Sequence, residues 1–375
     1  MIMDKSLKYS YNDIMVKPSI LSFIESRTEC SPYNSDGMLP LFTAPMDTVV
    51  SVKNFELFQK NGIIPILPRT VNLDTRLEYS TKNKWAAYSL DEFEQNFCQD
   101  SNPLVTDYGI RALIDTANGH MAKIYEYVRK SKRIYGDKIK VMVGNIANPE
   151  TYRVCVESGV DYVRCSIGTG KGCTTGSNTG VGYPIASLIS EIASIRDEFI
   201  GRGADKNRIT KIVADGGIRR YRDIMKALAC GADYVMIGSL FAKMYESAAP
   251  KTCDGKGWLS LPLSVTLDDI ENPRLKYGKW CGDYEGKEIA LGNIKAAFYG
   301  MASKKGQVAM RGDKVRTSEG IEWEFPVKYT MKTWVDNFKD FLTSAMSYTN
   351  SRTLDEYRRS EVITITQNAY NSIND

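Results

Sequence analysis

An eight-stranded β/α barrel is the fold class this chain predicts, and three observations predict it. Short β-branched apolar runs alternate with amphipathic helical stretches, the signature of βαβ units. Such runs stand at 40–44, 62–67, 86–89, 111–115, 139–144, 160–165, 210–214 and 233–237, the number that closes a barrel rather than leaving an open doubly wound sheet. Finally, Val213-Ala214-Asp215-Gly216-Gly217 and Val235-Met236-Ile237-Gly238-Ser239 each end an apolar run in glycine, one helix apart. Backbone amides at such ends approach phosphate oxygens closely, and the last two strands of a barrel are where phosphate sites form. The prediction is therefore a single (β/α)8 TIM barrel over residues 1–375, an α/β fold with its active site at the C-terminal ends of the strands.

Taken in order, the runs at 40–44 and 62–67 open the barrel, and the run at 86–89 follows. The run at 111–115 ends in Asp115, and that at 139–144 leads into Asn145. Helical periodicity is clearest at 121–134, 150–158, 184–199 and 220–230; the second of these starts after Asn148-Pro149, a proline-marked start signal. The strands follow one another too closely to admit an inserted regulatory domain of about 100 residues. The segment 246–296, with Pro250, Asp254-Gly255 and Gly278, reads as a hairpin-like excursion after the eighth strand. Residues 302–318 are polar and rich in lysine and glycine, the composition of a mobile active-site loop. Helical periodicity returns at 330–348.

Composition narrows the function classes. A net charge of +4 with scattered basic residues gives no footprint for nucleic acid. No stretch approaches the roughly 18 apolar residues of a membrane helix, and the N-terminus carries no secretory signal pattern. The cysteines are widely spread, so a reduced, cytoplasmic protein is expected. No CxxC or HxxxH spacing offers a structural zinc site. His120 is the sole histidine, which makes a Ser-His-Asp triad hard to build.

The chemistry concentrates in Gly168-Thr169-Gly170-Lys171-Gly172-Cys173-Thr174-Thr175. A thiol on a glycine-rich loop is a candidate nucleophile; the alternative is a buried structural cysteine. A glycine-x-glycine also occurs in dinucleotide folds, but there it belongs at the first βα turn, whereas this one follows the sixth strand. Asp215, at a strand end, is well placed to accept ribose hydroxyls.

These stretches resemble the purine nucleotide enzymes comprising IMP dehydrogenase and GMP reductase. The resemblance rests on Pro45-Met46-Asp47-Thr48-Val49, Asp115-Thr116-Ala117-Asn118-Gly119, Gly144-Asn145, the cysteine loop, Asp215-Gly216-Gly217, Gly238-Ser239, Tyr299-Gly300-Met301 and Ser318-Glu319-Gly320, in the family's order across most of the chain. It implies Cys173 as the nucleophile toward C2 of a purine, with Thr175 and Glu319 as catalytic partners. It also implies a nucleotide site drawn from Met46, Asp115, Asn145, Lys171, Asp215, Gly216, Gly217, Gly238, Ser239, Tyr299, Gly300, Met301, Ser303, Arg316 and Ser318. Potassium at the carbonyls of Gly168, Gly170 and Cys173, a nicotinamide cofactor and a homotetramer follow from the same resemblance.

Within the family the chain resembles the reductase. The dehydrogenase carries a long flap with an Arg-Tyr pair, whereas the interval 302–318 is short and contains no tyrosine. Val315-Arg316-Thr317-Ser318-Glu319-Gly320 and Phe298-Tyr299-Gly300-Met301-Ala302-Ser303 also resemble the reductase. The expected activity is NADPH-dependent reductive deamination of GMP to IMP and ammonia. Thr175 would relay, and Glu319 supply, the proton for the departing nitrogen. The chain departs from the family twice: Lys171 replaces a serine usual two residues before the cysteine, and Gly176 an arginine shortly after it. Glu319-Gly320-Ile321-Glu322 also resembles the dehydrogenase, which leaves a dehydrogenase without its regulatory domain (IMP to XMP with NAD) as an alternative. The two departures leave a homologue acting on dGMP or another 2-aminopurine nucleotide, and a nucleotide sensor without turnover.

Overall fold

The computed structural model describes residues 6–100, 104, 107–169, 175–253, 256–259, 294–299, 303–311 and 322–373. Eight parallel strands form the predicted barrel: β1 (Leu41–Thr43), β2 (Ile66–Leu67), β3 (Trp85–Tyr88), β4 (Ile110–Asp115), β5 (Ile139–Ile146), β6 (Tyr162–Cys165), β7 (Lys211–Asp215) and β8 (Tyr234–Ile237). From β2 onward each pairs with the next in sequence, and β8 returns to β1. The last seam, between β1 and β2, is a single bridge from Phe42 to Ile64. The run expected at 62–67 therefore shortens to two residues. Pro65 has no N–H to offer a ladder, and Gly62 turns left-handed at φ +76°.

Helices α1 (Phe55–Lys60), α2 (Leu73–Thr81), α3 (Leu90–Phe97), α4 (Ala122–Tyr135), α5 (Thr151–Glu157), α6 (Ile185–Gly201) and α7 (Tyr221–Ala229) connect successive strands. After β8 come four strands outside the barrel. Strands β9 (Lys251–Cys253), β10 (Lys256–Leu259), β11 (Ile294–Tyr299) and β12 (Glu322–Pro326) form an antiparallel sheet in the order β10-β9-β11-β12. Helix α8 (Met331–Tyr348) then completes the outer ring. Its start is doubly capped: Thr330 accepts from the Thr333 N–H, and the Glu246 carboxylate accepts from the Met331 N–H at 2.8 Å. It buries Trp334, Phe338, Leu342 and Met346, each worth about 1.5–3 kcal/mol of burial. A short ribbon pairs Ile14–Val16 with Val362–Thr364 and ties the two ends of the described chain together.

Strand alternation divides the core. Ile110, Ala112 and Ile114 of β4, with Val141, Val143, Val163, Cys165, Ile212, Ala214, Val235 and Ile237, belong to the cluster shared with the helices. The residues between them, Trp85, Ala87, Leu113, Met142, Val213, Tyr234 and Met236, join Phe42 in a separate cluster inside the barrel. Edge-on aromatic contacts bind that interior, with Phe42 6.0 Å from Trp85 and Trp85 5.2 Å from Tyr162. The same parity puts Asp115, Gly144, Arg164 and Asp215 on the inward face, one layer nearer the C-terminal mouth.

Cys30, Cys98, Cys155, Cys165 and Cys230 are free, buried thiols. Among the described residues no helix is long and apolar enough to cross a membrane.

Candidate nucleotide site at the barrel mouth

The inward layer is a connected polar cluster. Arg164, only 7% exposed, donates from Nη1 to Asp115 Oδ1 at 2.8 Å and from Nη2 to Asn145 Oδ1. Its Nε lies 3.3 Å from Asp215 Oδ2, and that same oxygen accepts from Asn145 Nδ2 at 2.9 Å. Residues from β4, β5, β6 and β7 thus share one network. Burial would pull the Arg164 guanidinium down, but Asp215 and Asp115 overcome it and hold its pKa above the usual value. The neighbouring strand makes room: a Cβ on Gly144 would fall 2.5 Å from Arg164 Cβ and 2.7 Å from its carbonyl oxygen.

The loop after β4 locks onto the same strand. Gly119 donates its N–H to the Asn145 carbonyl at 2.8 Å, and Thr116 accepts the Asn145 N–H at 3.2 Å. Beneath it the Tyr125 hydroxyl donates to the Gly119 carbonyl at 2.7 Å. His120 continues the tie, accepting the Ala147 N–H on Nε2 at 3.1 Å. Its Nδ1 lies 3.1 Å from the Thr151 hydroxyl, and partial desolvation lowers its pKa. Arg69, beyond β2, donates to the Asp115 carbonyl at 3.4 Å, while its buried Nε has no hydrogen-bond partner among the described residues.

The predicted phosphate glycines stand at the adjoining strand ends. Gly216 and Gly217 are both left-handed, at φ +94° and +75°, a conformation that favours glycine. A Cβ on Gly217 would lie 3.4 Å from the Tyr11 ring. Gly238 precedes the short helix Ser239–Ala242, and a Cβ there would lie 3.2 Å from Met46 Sδ. That places Met46, Gly238 and Ser239 together where β1 meets β8. Beside them the Tyr299 hydroxyl donates to Asp47 Oδ2 at 2.9 Å, linking β11 to the mouth. Burial pushes the Asp47 carboxyl above the usual range. Ser303 is fully buried, and its hydroxyl accepts the Gly306 N–H at 3.1 Å, capping the helix Lys304–Arg311 within the 302–318 interval.

After β6, the hydroxyls of Ser166 and Thr169 are hydrogen-bonded. A Cβ on Gly168 would fall 2.8 Å from Gly176 Cα, so the backbone comes together at these two glycines. Thr175 opens the helix Thr175–Thr179. Gly170, Lys171, Cys173, Gly300, Met301, Arg316, Ser318 and Glu319 lie outside the described residues. The structure thus brings together Asp115, Asn145 and Asp215, and separately Met46, Gly238 and Ser239. Arg164, Arg69 and Asp47 were missed from sequence. Arg164 had a signal: a lone cation at an inward position in Tyr162-Val163-Arg164-Cys165 requires a buried partner.

A family model described as the IMP dehydrogenase / GMP reductase domain matches residues 8–258. The chain belongs to this family. It is 26% identical over 381 residues to a protein named GMP reductase 2 from Mus musculus, covering 97% of this chain and 96% of that protein. A GMP reductase from Aliivibrio fischeri is 29% identical over 66% of this chain and 72% of its own length. An inosine-5'-monophosphate dehydrogenase from Pasteurella multocida is 32% identical over 66% of this chain. The chain spans only 43% of that dehydrogenase, and 39% of one from Rhodopirellula baltica.

Proposed function

We propose that this family member is an NADPH-dependent GMP reductase. The observation that carries this reading is the end-to-end match to a protein named GMP reductase, against dehydrogenase matches covering about two fifths of those proteins. The short interval 302–318 without tyrosine supports the same side.

In this reading Asp215 accepts the ribose hydroxyls, while the amides around Gly216, Gly217, Gly238 and Ser239 meet the 5′-phosphate. The Cys173 thiolate adds to C2 of the guanine. The 2-amino group leaves as ammonia with a proton from Glu319 relayed by Thr175, giving a thioimidate. NADPH, when bound, would supply the hydride that C2 takes up; the C–S bond to Cys173 then breaks, restoring the thiolate as IMP departs. The balance is GMP, NADPH and two protons in, and IMP, NADP⁺ and ammonium out. In the mouth Arg69 has a buried N–H without a partner, so the described residues leave a donor for a polar group of a second ligand beside the nucleotide, as a nicotinamide dinucleotide requires. Potassium remains part of the proposal, with Gly168 as the one described residue of its three carbonyl donors. So do a homotetramer and a cytoplasmic location.

Purified protein should consume NADPH in the presence of GMP and release ammonia, followed by the absorbance of the reduced nicotinamide. The second reading, an IMP dehydrogenase, is favoured by the higher identity to the Pasteurella enzyme. NADH formation from IMP and NAD, with GMP inert, would establish it instead. Turnover in potassium against sodium tests the cation, and light scattering the tetramer.

A further inference from the structure

We infer that Arg164 is a positioning residue for ribose recognition: it fixes the Asn145 amide and the Asp215 carboxylate so that a single carboxylate oxygen is presented to the sugar hydroxyls. The inference rests on the nucleotide-binding reading above but not on which reaction follows.

Asparagine's oxygen and nitrogen ends differ only in hydrogen bonding, so an amide facing a carboxylate needs something to decide its orientation. Here the guanidinium decides it. With Arg164 Nη2 donating to Asn145 Oδ1, the Nδ2 end must face Asp215, where it donates to Oδ2 at 2.9 Å. Arg164 Nε approaches the same Oδ2 at 3.3 Å. One protein donor, Asn145 Nδ2, therefore holds Oδ2 with the Arg164 guanidinium in ion-pair contact beside it, and among the described residues none reaches Oδ1. The third arm, Nη1 to Asp115 at 2.8 Å, anchors the guanidinium on β4. The absent side chain at Gly144 leaves Arg164 the space to cross between strands. Without Arg164, two carboxylates would share the mouth with no cation between them, the amide could turn over, and Asp215 would lose its fixed direction. A lysine offers a point charge that cannot hold the Asp115 carboxylate and the Asn145 amide in a planar fork while lying against Asp215.

The test is calorimetric binding of GMP and IMP, each beside its 2′,3′-dideoxy counterpart, to the full chain and to Arg164→Met and Arg164→Lys variants, with a thermal midpoint for each. The wild type should prefer the ribonucleotide about tenfold or more, the scale of a charged hydrogen bond. Arg164→Met should bring the two analogues within about twofold of each other, mainly by weakening the ribonucleotide. Adding Asp215→Asn to that variant should cost little further affinity, since coupled groups are not additive. Equal weakening of both analogues would mean that Arg164 only supports the fold, and retained preference would overturn the inference outright. Should Arg164→Met fail to fold, Arg164→Lys decides: its preference should fall at least about threefold, and an unchanged preference again overturns the inference. A wild type that discriminates ribose yet never oxidises NADPH with GMP would sink the reductase reading alone. A wild type that binds no nucleotide removes both.

Discussion

At the N-terminal end of the barrel, Asp161 is enclosed by its own fold. Its Oδ2 accepts from Lys132 Nζ at 2.6 Å and from the Val141 N–H at 2.8 Å, while Oδ1 pairs with Lys140 at 3.0 Å. Asp233 is treated similarly by the Ile212 N–H and Arg196. At the mouth, Asp215 also has a cation beside it, but no backbone amide among the described residues donates to its carboxylate, and one oxygen stays open. A carboxylate filled by backbone amides fixes strand register, whereas one steadied from a single side by a guanidinium keeps acceptors for a ligand. The comparison predicts that mouth substitutions change chemistry and affinity, while substitutions at the base change stability.

The largest effect belongs to the nucleophile. Cys173→Ala should abolish turnover yet leave GMP affinity within about tenfold, measured by calorimetry beside steady-state rates. Persisting turnover would eliminate the covalent route. Next, Glu319→Gln should slow single-turnover ammonia release by about 10²–10⁴ while nucleotide binding survives. A rate within about threefold of wild type would require another acid, because that lies far below the general-acid range.

The third test sets the two ends against each other. Asp215→Ala should weaken GMP binding about ten- to a hundredfold with little change in denaturant midpoint. Asp161→Ala should do the reverse, losing about 1–3 kcal/mol of stability by leaving the Val141 N–H and Lys132 without their carboxylate, with affinity unchanged. If both variants lost affinity and stability together, the division between the ends would collapse.

The smallest effect concerns His120, which ties the β4 loop to β5. Partial desolvation of this half-exposed ring lowers its folded pKa, so between the unfolded value and the folded one only the unfolded chain carries the proton. The His120 contribution is therefore complete above the unfolded pKa and declines as pH falls through the folded one. His120→Gln should flatten the fall in thermal midpoint below about pH 6.5; an identical slope in the variant would assign that decline to other groups.

The barrel was legible because each strand alternates between two apolar environments, and the runs at 111–115 and 233–237 needed only slight adjustment. Helices α1 to α3 escaped individual placement, since stretches such as Leu90–Phe97 are too short to show many turns of periodicity. The ribbon at Ile14–Val16 was invisible, because three residues hold no period and the partner lies at the other end of the chain. In the mouth, Asp215 stood out as a carboxylate at a strand end, and Asp115 and Asn145 through stretches that resemble the family's motifs. Arg164 did not, because its meaning depends on which strands become neighbours and on the empty space at Gly144. Asp47 was quoted within a motif, but its bond to Tyr299 spans the whole barrel and the excursion.

The terminal ribbon has a kinetic consequence. Its strands sit at opposite ends of the described sequence, so closing it early would enclose nearly the whole chain in one loop, whereas each barrel pair encloses a few tens of residues. It should form after the barrel and open before it, as an independent unit in amide exchange. Tyr11 lies just ahead of this clasp, its carbonyl held by Lys226 at 2.9 Å and its ring against Gly217. Occupation of the phosphate glycines should therefore slow exchange at Ile14–Val16, making the far ends of the polypeptide a reporter of what its centre has bound.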